Sequence, residues 1–155
     1  MKIYEAIQND HDIQRNLCDK IVTTSGASHE RKKLWEDLKK ELEVHAVAEE
    51  RYFYSPLIDT DKMQEDARHG MAEHHEMDKL IQELNYTDMS SPNWLTTVQK
   101  LVEKVKHHLK DEEEDFFKKA KSVYSEEEAG SLAKSYEATV DKYRKAWPDS
   151  IPGND

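Results

Sequence analysis

Residues 38–53 read LKKELEVHAVAEERYF, and residues 101–116 read LVEKVKHHLKDEEEDF. The positions Leu38, Leu42, His45, Glu49, Phe53 and Leu101, Val105, His108, Glu112, Phe116 both advance by four, three, four and four. Steps of three and four return to one face of an α-helix, so each segment is a helix whose inner stripe runs apolar, apolar, His, Glu, aromatic. A displacement of 63 residues superposes the two, and it also lays His11 on His74 and Glu50 on Glu113. Each half therefore supplies one isolated His followed by a His-x-x-x-Glu. Imidazole and carboxylate in a stripe that faces a core need a partner, because burying them bare is costly or forces a change of protonation.

Five helices follow from the surrounding sequence. The first is expected over about 4–22, with Ile7, His11, Gln14, Leu17, Cys18 and Ile21 inward, and it stops at the breaker cluster Thr23-Thr24-Ser25-Gly26. The second, over about 28–54, ends where Ser55 and Pro56 interrupt it. A third, over about 61–85, opens on Asp61 with Gln64 three residues on, a capping-box pattern. The fourth, over about 91–120, has Ser91 as N-cap and Pro92 in the first helical position. The fifth, over about 125–147, opens on Ser125 and Glu128 and stripes Ala129, Leu132, Ala133, Tyr136, Val140, Tyr143 and Trp147 along one side. Residues 149–155 read as a frayed tail, and 1–148 as one helical domain.

Few glycines and prolines and no period-2 alternation make the chain all-α. Long helices with short connections favour an antiparallel up-down-up-down four-helix bundle, with the C-terminal amphipathic helix against its outside or one end. The duplication gives that bundle an approximate two-fold axis, and a site built equally by both halves lies near it.

A formal charge of -10 repels phosphate backbones and anionic lipid, so neither nucleic acid nor membrane is an expected partner. No stretch approaches a membrane span, and the start of the chain lacks the apolar run of a secretion signal. Cys18 is the single cysteine, which excludes an intrachain disulfide and suits a reducing, cytoplasmic address.

Bundling brings four imidazoles and two carboxylates into one layer, the donor set of a carboxylate-bridged two-metal centre. His45 with Glu49, and His108 with Glu112, are neighbours at i and i+4, and a carboxylate has two oxygens with which to span two ions. Imidazole and carboxylate without thiolate suit iron first, with manganese or zinc as substitutes, whereas calcium and magnesium favour oxygen shells. Shared between two ions, these donors leave open positions for solvent or dioxygen. Two divalent charges are offset by Glu49, Glu112 and a bridging hydroxide or oxide.

Together, His11, the His45-x-x-x-Glu49-Glu50 run, Glu73-His74 and His108-x-x-x-Glu112-Glu113, spread over about Ile3 to Lys121, resemble hemerythrin-like proteins of the HHE cation-binding family. The resemblance implies that His11, His45, Glu49, His74, His108 and Glu112 bind a non-haem di-iron centre, with Glu49 and Glu112 bridging. It implies binding of, or reaction with, dioxygen, peroxide or another small diatomic ligand. The alternative is an oxygen, iron or redox sensor, or an iron store, without turnover. In one respect the chain departs from the oxygen-carrying hemerythrins, which place a His-x-x-x-His pair on the third helix. Here Gly70 and Asp78 flank His74 at four residues. The fifth imidazole is missing unless His69 swings in or an oxygen donor takes its place, which disfavours reversible oxygen carriage and opens the centre to peroxide.

Neighbouring residues have plainer readings. His29, His75 and His107 are expected in solvent, and Glu50 and Glu113 behind the ligands or in solvent. Phe53 and Phe116 are expected to pack on the metal layer and Cys18 to act as a small core hydrophobe. Tyr54, at a helix end, reads as a packing residue able to donate a hydrogen bond near the centre.

Overall fold

The computed structural model describes residues 1–149, and of the tail expected to fray, residues 150–155 lie outside the described residues. Helix α1 is Ile3–Ile21, α3 is Gln64–Asn85 and α5 is Glu126–Ala146. Helices α2 and α4 are each interrupted by a π turn. α2 runs His29–Glu49, π-helical Glu50–Tyr54 and a last α turn Ser55–Ile58, and α4 runs Pro92–Asp111, π-helical Glu112–Phe116 and Phe117–Ala120.

The first four helices form a bundle of two hairpins, and α5 lies across α1 and α2. Two apolar clusters fill it. One holds Ile3, Ile7, Phe53, Tyr54, Phe116 and Phe117 with the inner side of α5, including Ala133, Tyr136 and Val140. The other holds Cys18, Ile21, Trp35, Leu38, Leu42, Ile81, Leu84, Trp94 and Leu101. Each fully buried aliphatic or aromatic side chain contributes about 1.5–3 kcal/mol. The metal-facing His11, His45, Glu49, His74, His108 and Glu112 fall between these two clusters, which close the His and Glu layer at either end along the bundle.

Helix starts follow their caps with one exception. Ser28 accepts from Arg31 N, and Ser125 and Glu128 form a reciprocal capping box. Ser91 holds the extended N-cap conformation ahead of Pro92, although its side chain makes no cap bond. The pattern at Asp61 and Gln64 does not form a box, and α3 begins three residues later than expected. Thr60 takes over the turn there: its hydroxyl donates to Leu57 O at 2.8 Å, and its carbonyl accepts from Gln64 N at 3.0 Å. Pro56 does not end α2, because it falls in the first turn of the segment after the π turn, where a missing N–H is tolerated.

Candidate metal centre

Glu49 is the last residue before one π turn, and Glu112 opens the other. A π turn closes its hydrogen bond over five residues, here Ser55 N–H to Glu50 O and Phe117 N–H to Glu112 O, so the residue five on rather than four on returns above the starting position. Tyr54 is thereby brought over Glu49 and Phe117 over Glu112, and the adjacent pairs Phe53-Tyr54 and Phe116-Phe117 are buried together. The Tyr54 ring lies 5.4 Å from His74, and its counterpart under the 63-residue repeat, Phe117, stacks on His11 at 6.1 Å. Phe53 and Phe116 meet at 5.1 Å between them.

The six residues singled out by the repeat, His11, His45, Glu49, His74, His108 and Glu112, converge, and none is more than 5 % exposed. They form two groups able to hold a cation: His11, His45, Glu49 and Glu112, whose donor atoms lie within 4.8 Å of one another, and Glu49, His74 and His108. Glu49 belongs to both, presenting Oε2 to His45 Nε2 at 3.4 Å and Oε1 to His74 Nε2 at 3.1 Å. Glu112 presents Oε1 to His11 Nε2 at 3.0 Å and Oε2 to His108 Nε2 at 3.5 Å.

All four imidazoles turn Nε2 inward and Nδ1 outward. His11 Nδ1 donates to Glu113 Oε2 at 2.6 Å, and His108 Nδ1 to Glu73 Oε1 at 2.8 Å. His74 Nδ1 faces Glu50 Oε2 at 3.5 Å. His45 Nδ1 meets the Tyr136 hydroxyl at 2.6 Å, and that hydroxyl donates to Asp10 Oδ2. A carboxylate behind Nδ1 fixes the tautomer that leaves the Nε2 lone pair free for a metal. This outer layer obeys the repeat as well: Glu50 matches Glu113, and Asp10 matches Glu73. Glu50 and Glu113 thus stand behind ligands, whereas the Asp10 and Glu73 pairing is one that the stripe alone does not single out, though the 63-residue shift would have found it.

Despite that order, five inward atoms are unsatisfied. Nε2 of His11 and His45, both oxygens of Glu49 and Oε1 of Glu112 are buried without a hydrogen-bond partner. The shifts at His45, His108, Glu49 and Glu112 reflect the same shortage of cations. Burial opposes charging of His45, yet Glu49 and Asp10 push it up to about 10; His108 is likewise pushed up to about 10 by Glu49, Glu73 and Glu112 against its burial. Glu49 is held well below the usual carboxylate range by His45 and its neighbours in spite of burial, while burial and the facing charge of Glu49 raise Glu112. Without metal, protons on imidazole stand in for the missing positive charge.

Tyr54 is more than packing. Its hydroxyl donates to Glu112 Oε2 and lies 3.3 Å from His108 Nε2, on the side of the three-donor group. Burial, followed by Glu112 and Glu49, raises the phenol well above its usual range, which keeps it neutral in the absence of metal. Space for it comes from Gly70, where a Cβ would fall 2.6 Å from Tyr54 Cζ and 2.8 Å from Oη. His69 is exposed, and its Nε2 lies 3.5 Å from Glu73 Oε1. His29, His75 and His107 are exposed as expected, and Cys18 is buried, its thiol pushed up to about 12 by burial.

A cavity of about 370 Å³ leads from solvent to this side, lined by Asp66, His69, Gly70, Glu73, His108, Asp111, Glu112, Asp115 and Phe116. Its lining stays net negative although Lys119 reaches both Asp66 and Asp115.

The sequence profile of the hemerythrin HHE cation-binding domain matches residues 2–120. The chain belongs to the hemerythrin HHE family. Its fold is similar to the crystal structure of a hemerythrin HHE cation-binding domain-containing protein from Mycobacterium kansasii, described as an Rv2633c homologue. That likeness has a TM-score of 0.82 and 24 % identity, covering 94 % of this chain and 88 % of the other. A curated relative, a DNA nickase of Nostoc sp., is 26 % identical over 148 residues, 94 % of this chain but only 41 % of that protein's length. The match over 2–120 takes in the whole His and Glu layer and stops before α5, so Tyr136 comes to this hemerythrin-type layer from outside the matched region. No helix among the described residues is long and apolar enough to cross a membrane.

Proposed function

We propose that this HHE protein holds two iron ions, one among His11, His45, Glu49 and Glu112, the other among Glu49, Glu112, His74, His108 and the Tyr54 hydroxyl, and that it reacts there with peroxide or dioxygen. The observation that carries the reading is the set of buried, inward-facing nitrogens and carboxylate oxygens that have no hydrogen-bond partner. Two cations satisfy them, and a thiolate-free nitrogen and oxygen set fits iron, with manganese or zinc as substitutes. Such a metal pair supplies redox chemistry and a Lewis-acidic place for a small oxygen ligand to bind.

The chain's own residues do the rest. Glu49 and Glu112 each offer one oxygen to either side and hold the two positions together. Glu113, Glu73 and the Tyr136–Asp10 pair aim three of the imidazoles, and Glu50 faces the fourth, His74. Tyr54 supplies an oxygen donor where the oxygen-carrying hemerythrins have a second imidazole on the third helix, and Gly70 makes the room. Phe53, Phe116 and Phe117 keep bulk water away from one face. The acid-lined cavity admits small neutral molecules and cations and disfavours anions.

A nickase role like that of the Nostoc relative is disfavoured, since this chain spans 41 % of that protein and its charge of -10 opposes a phosphate backbone. A cytoplasmic setting fits a single buried thiol. Stopped-flow mixing of the iron-loaded protein with peroxide tests the proposal. Evolution of oxygen with a change in the visible iron spectrum is expected, and neither occurring refutes it.

A further inference from the structure

The repeat pairs Asp10 with Glu73, yet the two acids reach their imidazoles differently. Glu73 Oε1 takes the proton of His108 Nδ1 directly, at 2.8 Å. Asp10 has one methylene fewer and stops 3.8 Å from His45 Nδ1. Into that gap comes the Tyr136 hydroxyl, accepting from His45 Nδ1 at 2.6 Å and donating to Asp10 Oδ2 at 2.5 Å. Tyr136 belongs to α5, which has no counterpart in the repeat, and it is 1 % exposed. Two turns further along α5, Arg144 donates to Asp10 Oδ1 at 2.9 Å and to Glu41 Oε2 at 2.7 Å, offsetting the Asp10 charge.

We propose that Tyr136 is a positioning residue that makes the two metal positions inequivalent, so that α5 governs the affinity of the position built on His11 and His45 and not that of the position built on His74 and His108. This rests on the two-metal reading above. The hydroxyl's single proton is committed to Asp10, so Nδ1 of His45 must be the donor, and Nε2 is the nitrogen left to face a cation beside Glu49. The acceptor behind His45 is a neutral phenol, backed by an acid that shares the Arg144 guanidinium with Glu41. The acceptor behind His108 is a carboxylate. A carboxylate raises the donor strength of its imidazole more than a phenol does, and outer partners of this kind typically carry a 10–100-fold effect on metal affinity. Without the Tyr136 hydroxyl, His45 Nδ1 is stranded in a buried site and the ring is free to turn or change tautomer. His108, anchored by Glu73, is unaffected.

The test uses the full chain, stripped of metal and titrated anaerobically with cobalt(II), followed by calorimetry and by the visible absorption of bound cobalt. Wild type should take up two cobalt ions per chain. Tyr136→Phe should keep one binding step within about twofold and weaken the other about 10–100-fold. Glu73→Gln should weaken the opposite step, so the cobalt spectra of the tight sites left in the two variants differ. A merely structural role for Tyr136 would lower both steps together. The inference is overturned if Tyr136→Phe, helical by circular dichroism, leaves both steps unchanged or weakens both equally. Should Tyr136→Phe not fold, Asp10→Asn is decisive in its place, since it retains the phenol but removes the charge behind it. Weakening confined to the same single step supports the inference, and two unchanged steps overturn it. Fewer than two cobalt ions in wild type would instead overturn the two-metal reading.

Discussion

Replacing Gly70 by alanine places a methyl group where the structure has room for none. The added carbon would stand 2.6 Å from Tyr54 Cζ and 2.8 Å from its hydroxyl, about an ångström inside ordinary contact. The ring has little freedom to retreat. Tyr54 is fully buried, with Phe116 at 5.1 Å, His74 at 5.4 Å and Phe53 at 5.8 Å between ring centroids. Overpacking of this kind costs about 1–3 kcal/mol. At about 2–4 °C per kcal/mol for a chain of this size, thermal denaturation of the metal-free variant should show a Tm lower by roughly 2–12 °C. The hydroxyl is also drawn away from Glu112 and His108, so the visible spectrum of the iron-loaded variant should shift in the same sense as that of Tyr54→Phe, which deletes the hydroxyl without a clash. A Gly70→Ala protein with wild-type Tm and an unaltered iron spectrum would refute the reasoning that a missing side chain on α3 is what admits Tyr54 to the centre.

Other outcomes follow from the same geometry. Glu49→Gln takes away a carboxylate oxygen from each of the two positions, so elemental analysis after iron loading should fall from about two ions per chain to one or none. The imidazoles of His45 and His108 are raised from an ordinary 6.5 to about 10 in the metal-free fold, so their contribution to its stability is complete below pH 6.5 and is lost as pH climbs through 10. Tm of the metal-free protein should therefore drop between pH 7 and 10, and metal loading at pH 7 should release protons, measurable by calorimetry in buffers of different ionisation enthalpy. A Tm that rises over that interval would count against the assignment. Neutralising the cavity mouth with Asp66→Asn and Asp115→Asn should make azide perturb the iron spectrum several-fold faster while the rate with neutral peroxide stays within about twofold. Equal acceleration of both would show that size rather than charge controls access.

Much of this arrangement is legible in the sequence because the residues that matter repeat. Steps of three and four place His45, Glu49, His108 and Glu112 on inner faces, and the 63-residue shift ties His11 to His74. The π turns leave a fainter mark. Hydrogen bonding over five residues requires no particular residue type, and an α-helical reading carries Tyr54 off the inner face. The neighbouring aromatic pairs Phe53-Tyr54 and Phe116-Phe117 are the trace of the slip, but a weak one, since adjacent residues of regular α-helix such as Ile3-Tyr4 and Leu101-Val102 are buried together too. Gly70 and Tyr54 meet through tertiary packing between α3 and α2, which no periodicity encodes. Tyr136 is likewise visible only as one member of an apolar stripe, and its hydroxyl acquires meaning when α5 is laid over His45. At the start of α3, Thr60 outcompetes the pattern at Asp61 because its hydroxyl and carbonyl together close the turn after α2.

The central claim is that two cations share Glu49 and Glu112 between four imidazoles. Iron K-edge X-ray absorption of the anaerobically loaded chain examines it most directly: a nitrogen and oxygen shell with imidazole scattering and a resolved iron–iron vector is predicted. Iron bound without imidazole scattering, or with no neighbouring iron, would contradict it.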